Sequence, residues 1–280
     1  MKHYTLTSIS SLAFILFLIS CKSDEKKGDK IVPVETKSAK LKEASVVYTI
    51  DSLKMTSYVV YDENVQGKRP AILVIHEWWG LNDYAKRRAR QLAELGYIAM
   101  AVDMYGNNRM GNDPGAAQAL AMPYFMDPQM TKKVFDSAVS QFKKYEQVDQ
   151  TKMAGIGYCF GGGVLLTITR LGEPLNGIVS FHGTLPEVPA NKDLTKAETL
   201  VCNGEADTFV PKEAIAKFKK QMDSIGAKYT FKDYPGALHA FTNPEATEKG
   251  KKFDLQIAYN AAADTASWND MKEFFARIFR

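Results

Sequence analysis

The sequence predicts an α/β fold, with a mostly parallel central sheet covered by helices on both faces and an antiparallel hairpin at its N-terminal end. Three observations carry this expectation. Short unbroken apolar runs alternate with longer segments of helical period, the pattern of strands buried on both faces between crossover helices. One run passes through a glycine-rich turn, GIGYCFGGG at 155–163, straight into a further apolar stretch. The 280 residues, 45% hydrophobic and 24% charged, are enough for one well-buried core.

The elements follow in order. Residues 46–50 and 55–61 read as two strands of a hairpin around Asp51 and Ser52, and 71–76 (AILVIH) as the first buried parallel strand. Residues 83–95 have the amphipathic period of a helix rich in Lys and Arg, and 98–102 (IAMAV) form the next strand. Residues 107–130 interrupt the rhythm with Gly, Pro and Asn among Met110, Met122, Tyr124, Phe125 and Met126. This mixture suits either a pliable apolar pocket wall or a surface loop packing its own side chains. A helix is expected at 131–145, a short buried strand at 152–157, apolar helix at 164–169 and a strand end at VSFHG around His182. Residues 198–203 (ETLVCN) form a strand, 211–225 a helix with Pro211 in its first turn, and 228–234 (KYTFKDY) an alternating strand. Residues 242–256, with Pro244 and a charged tract, are placed as a rim or lid. The chain closes on a helix at 261–279 with Ala262, Ala266, Met271, Phe274, Phe275 and Ile278 on its core-facing stripe.

Residues 1–20 are set apart as a targeting signal. Lys2 and His3 precede the apolar run LAFILFLIS, which has the length of a secretory h-region and falls short of the ~20 residues of a membrane span. LISC at 18–21 has the form of a bacterial lipobox, which makes Cys21 the expected site of lipid attachment; signal cleavage beside an incidental cysteine is the alternative. Residues 21–42 then read as a flexible tether, beginning with the polar KSDEKKGDK, and 43–280 as the folded domain. A lipid-anchored protein of the bacterial envelope is expected, on the periplasmic face or the cell surface. The net charge of +4 falls to +3 without Lys2, too small and too dispersed to indicate nucleic acid.

Cys159 is the candidate nucleophile. Gly157, Cys159 and Gly161 fit the G-x-nucleophile-x-G turn of α/β-hydrolases, with Cys where Ser is usual. A phosphate-cradling turn and an inert buried thiol are the competing readings of this stretch alone. Asp207 follows the strand at 198–203 and His239 follows the strand at 228–234, in the order nucleophile, acid, histidine and at carboxyl ends of strands. Taken singly, each has a plainer reading, Asp207 as a turn residue and His239 as a loop histidine. His76, Glu77 and His182 are too separated to suggest a metal site, and no cofactor is implied. Cys202, inside an apolar strand, is expected to be a small core residue.

From about Ala71 onward the chain resembles the dienelactone hydrolase family. The segments that carry the resemblance are VIHEWWGLNDYAKRRARQLAELGYIAMAVDMYG (74–106), GIGYCFGGG, CNGEADTFVP (202–211) and YPGALHAF (234–241). The resemblance implies a triad of Cys159, Asp207 and His239, a glutamate at Glu77 that assists the thiol, and oxyanion donors at the backbone N–H groups of Trp78 and Phe160. It also implies a small ester, lactone or thioester as substrate. Tyr105, Arg109, Tyr124 and Phe125 are the candidate substrate-binding residues, with Arg109 a possible partner for a carboxylate or simply a solvated side chain. The sequence departs from the family at one point: relatives acting on carboxylate-bearing lactones carry an arginine shortly after the histidine, where HAFTNP has Thr242 and Asn243. A non-catalytic binding lipoprotein and a thiol redox protein using Cys159 are the rival classes.

Overall fold

A computed structural model describes residues 38–280. The signal segment, Cys21 and most of the tether lie outside the described residues. In chain order the first half comprises β1 (Leu41–Ile50), β2 (Leu53–Asp62), β3 (Arg69–Ile75), α1 (Asp83–Glu94), β4 (Ile98–Val102), α2 (Pro114–Met126) and α3 (Pro128–Phe142). The second half comprises β5 (Val148–Tyr158), α4 (Phe160–Arg170), β6 (Gly177–Phe181), β7 (Glu198–Gly204), α5 (Lys212–Ser224), β8 (Tyr229–Tyr234), α6 (Ala246–Phe253) and α7 (Ala261–Ile278).

The eight strands form one sheet in the order β1-β2-β4-β3-β5-β6-β7-β8. β1 pairs antiparallel with β2, and β2 antiparallel with β4; every later pairing is parallel. The hairpin turns through Asp51 and Ser52 between the paired Ile50 and Leu53, and Asp51 takes φ 52°. An aspartate tolerates that left-handed geometry, which two-residue hairpin loops favour. β1 starts at Leu41, so the structured domain reaches two residues into the stretch assigned to the tether.

Alternation along the central strands divides the core between two helical layers. Leu73 and Ile75 of β3 pack with Phe135 and Phe142 of α3 and Leu165 and Ile168 of α4. Ile72 and Val74 point the other way, into Tyr84, Ala89 and Leu92 of α1 and Phe274 and Phe275 of α7. Strands covered on both faces need apolar residues at successive positions, which is why β3 and β4 read as unbroken runs.

Two segments differ from the expectation. Residues 107–130 contain α2, a helix with no charged residue and therefore no polar face for a periodicity argument to detect. Asp113 caps it by accepting the Ala116 N–H at 2.9 Å. Asp127 ends α2 and caps α3, accepting from the Met130 N–H at 2.9 Å, so α3 begins at Pro128 rather than at 131. The proposed rim at 242–256 likewise includes a short helix, α6.

Candidate active site

Cys159 stands between β5 and α4 with φ 52° and ψ −112°, a conformation that costs a non-glycine residue about 1–3 kcal/mol. The flanking glycines permit it. A Cβ on Gly157 would lie 2.2 Å from the Gly161 carbonyl oxygen, and one on Gly161 would lie 2.4 Å from that of Ile75. Both approaches are closed to any side chain, and the Gly161 N–H donates to the His76 carbonyl at 3.1 Å, tying the turn to the end of β3.

Asp207 follows β7 and is buried. Its Oδ1 accepts the Phe209 N–H at 2.8 Å, and its Oδ2 lies 2.8 Å from His239 Nδ1. That bond places the Nδ1 proton toward Asp207 and leaves Nε2 available to a second partner. His239 follows β8, pinned by a bridge to Ile257, and is 6% exposed. Burial opposes a charge on its ring, but the charge of Cys159, the bond to Asp207 and a hydrogen bond to Cys159 outweigh it and raise its pKa to about 10.

Cys159, His239 and Glu77 line one cavity of about 290 Å³, together with Trp78 and Phe160. Glu77 is buried, and its Oε2 accepts from Asn243 Nδ2 at 2.7 Å. Burial pushes its pKa up, against the pull of Lys249, Asn243 and His239. Asn243 is thus committed to holding Glu77.

The peptide between Glu77 and Trp78 is oriented by His76. Its Nδ1 lies 2.5 Å from the Glu77 carbonyl and its Nε2 accepts the Met104 N–H at 3.4 Å, which makes Nδ1 the protonated nitrogen. Burial lowers the His76 pKa to about 4, so the ring stays neutral. In a trans peptide the N–H points opposite the carbonyl. Holding the Glu77 carbonyl therefore also sets the direction of the Trp78 N–H.

The substrate-binding candidates divide. Phe125 lines the cavity and packs edge-on against Phe160 at 5.5 Å between centroids. Tyr105 and Tyr124 stand behind the wall, where the Tyr105 hydroxyl donates to the Trp78 carbonyl at 3.0 Å and Tyr124 donates to the Met104 carbonyl. Arg109 is turned away. Its Nε donates to the Tyr105 carbonyl at 3.0 Å, and it lines a separate polar cavity with Lys86 and Asp103. Those bonds correct the placement of Arg109, Tyr105 and Tyr124 in the pocket. Residues not anticipated there are Phe209, whose ring lies 5.0 Å from that of His239, and Leu255 and Ile257 beyond α6. Aromatic character at Phe209, two residues past Asp207, was the available signal. No Lys or Arg lines this cavity among the described residues.

Cys202 is fully buried, with burial pushing its pKa up to about 12, so it offers no accessible resolving thiol to a redox cycle at Cys159. Among the described residues no group of three His, Cys, Asp or Glu side chains is placed to hold a metal ion.

Comparison with known proteins agrees with this architecture. The model of the dienelactone hydrolase family matches residues 55–279. A dienelactone hydrolase-like promiscuous phosphotriesterase from metagenomic libraries is 32% identical, with a TM-score of 0.80 over 85% of this chain and 98% of that one. A protein of Saccharolobus solfataricus named as a carboxymethylenebutenolidase is 28% identical over 84% of this chain and 99% of its own length. An esterase of Thermogutta terrifontis, 19% identical with a TM-score of 0.57 over 88% of this chain and 96% of its own, shares the fold. A match spanning most of the chain, over a sheet with a strained cysteine turn at its carboxyl edge, makes this protein a member of the dienelactone hydrolase family, a hydrolase of the α/β-hydrolase superfamily acting on esters and lactones.

Proposed function

We propose that the chain cleaves small, neutral esters, lactones or thioesters through an acyl-enzyme formed on Cys159, with His239 and Asp207 as its partners. The observation that carries this reading is the convergence of a strained cysteine and an aspartate-bound histidine on one cavity. With His239 protonated, the Cys159 sulfur attacks the carbonyl carbon as thiolate. The carbonyl π pair moves to oxygen, and the N–H groups of Trp78 and Phe160 bind that oxyanion. Collapse expels the alkoxide or thiolate, which takes its proton from His239 Nε2. Water then gives a proton to His239 and attacks the thioester, releasing the acid and restoring the thiolate. Glu77 lines the same cavity and, as a carboxylate, attracts the protonated His239, which supports the thiolate without Glu77 taking a proton itself.

The cavity bounds the substrate. At about 290 Å³ it lies at the small end of ligand pockets, roughly 300–1,000 Å³, which favours a lactone or short aryl ester over a long acyl chain. Its aromatic walls and lack of a lining cation favour neutral groups. Lipid attachment at Cys21 and a place in the bacterial envelope belong to the same proposal, supported by the lipobox LISC.

The test is pre-steady-state hydrolysis of p-nitrophenyl acetate by the wild type and by Cys159→Ala. A nitrophenolate burst stoichiometric with enzyme is expected, together with an acetyl mass adduct on the peptide containing Cys159. Undiminished turnover in Cys159→Ala would remove the mechanism.

A further inference from the structure

We infer that His182 is a positioning residue of this site, a neutral imidazole that couples the Cys159 turn to the loop carrying His239; the inference rests on the Cys159 chemistry proposed above. His182 follows β6, is fully buried and, like Cys159, has a positive φ, 41°. Two non-glycine residues in such conformations persist side by side only where their surroundings over-determine them. The His182 ring ties the two together through the Cys159 N–H. The Cys159 N–H is shared between the Phe181 carbonyl at 3.0 Å and His182 Nδ1 at 3.1 Å.

Accepting that N–H leaves Nδ1 without a proton, so Nε2 carries it and donates to Thr242 Oγ1 at 2.7 Å. Thr242 lies between His239 and Asn243, and it is itself held from two sides. Its hydroxyl is 2.6 Å from that of Tyr84, and its carbonyl accepts from an Arg88 guanidinium nitrogen at 2.7 Å. Arg88 in turn pairs with Asp264 on α7. One ring therefore joins the nucleophile to the segment that presents the base and, through Asn243, the partner of Glu77.

Charge on this ring would be doubly costly. Its centroid is 5.3 Å from that of His239, which is protonated in the attacking state, and a second proton on Nδ1 would break the contact with Cys159. Burial, His239 and Arg88 all hold His182 well below the usual histidine range. It does not line the cavity, so its effect on catalysis passes through Cys159 and Thr242.

The experiment compares His182→Asn, Thr242→Val, Thr242→Ser and the His182→Asn/Thr242→Val double variant in the full chain. Two rates are read: the acylation burst with phenyl acetate, and alkylation of Cys159 by iodoacetamide followed by peptide mass. His182→Asn keeps an acceptor near the Cys159 N–H but cannot reach Thr242; Thr242→Val cuts the same bridge from its other end. Each should slow both rates about tenfold, with KM within about twofold, since a full ~1 Å misplacement of reacting groups costs about a hundredfold and losing one bridge shifts them by less. Severing one bridge twice adds nothing, so the double variant should match the singles. Thr242→Ser, which restores the hydroxyl, should recover most of the lost rate.

Wild-type rates in either folded single variant, or a loss in the double equal to the product of the singles, would overturn the inference. If His182→Asn does not fold, the Val and Ser variants at Thr242 decide it alone. A wild-type enzyme that forms no acyl adduct would defeat the proposed function, while the alkylation rates would still judge the coupling at His182.

Discussion

Replacing Asp207 with asparagine tests the site through its most constrained hydrogen bond. Oδ1 of Asp207 is engaged by the Phe209 N–H and Oδ2 by His239, both at 2.8 Å. An asparagine keeps its oxygen on the Phe209 N–H, which turns its amide NH2 toward His239 Nδ1. That nitrogen must then accept, and the ring proton moves to Nε2, the nitrogen that in the proposed cycle takes the proton of the attacking water. Such a tautomer reversal in a triad costs on the order of 10⁴ in rate, or ~5 kcal/mol. The pH profile gives a second readout. Burial opposes the His239 charge, while the Cys159 charge and the Asp207 bond raise its pKa from 6.5 to about 10, a net preference of ~5 kcal/mol for the imidazolium at roughly 1.4 kcal/mol per unit. The wild type should therefore lose its leaving-group acid only as pH rises through about 10, and Asp207→Asn should move that limb to lower pH. The assay is kcat/KM for phenyl acetate across the alkaline range, with Tm as the control for folding. A kcat/KM within about tenfold of wild type, far short of the triad cost, together with an unmoved alkaline limb would refute the assignment of Asp207.

Three further outcomes are expected. Burial raises the Glu77 pKa above 4.5, so folding favours its protonated form; that contribution is complete below the ordinary carboxylate range and is lost as pH rises through the raised value. Glu77→Gln should accordingly raise Tm at neutral pH while lowering kcat, and an equal or lower Tm in thermal scans would contradict the burial argument. With Asn243 bound to Glu77 and Arg109 outside the cavity, a neutral aryl ester should exceed its carboxylate-bearing analogue of equal size in kcat/KM by about tenfold, the low end of what a missing charge-assisted bond is worth; competition between the two esters checks this, and a preference for the anion would reverse it. Cys21→Ser should abolish lipid labelling and detergent partition of the full chain, while recovery of the fully acylated species would exclude Cys21 as the anchor.

Much of this protein follows from local sequence. The turn at Cys159 is legible because Gly157 answers a steric demand within the turn itself, where the Gly161 carbonyl oxygen would lie 2.2 Å from any added Cβ. Strands such as 98–102 and helices such as 83–95 are legible because burial on two faces, or on one, imposes its own residue period. The order of Cys159, Asp207 and His239 is written along the chain for the same reason, each following a strand that could be recognised.

Tertiary structure alone decided the rest, because it depends on side chains far apart in sequence. Asn243 meets Glu77 across 166 positions and His182 meets Thr242 across 60. Arg88, in a helix rich in lysine and arginine, is buried because Tyr84, Asp264 and the Thr242 carbonyl surround its guanidinium. Arg109 has the chemistry to hold a carboxylate but spends its donors on backbone carbonyls of its own loop. A residue's type sets which bonds it can make. Which of them it does make depends on the partners that folding brings within about 3 Å, and no local pattern encodes that distance.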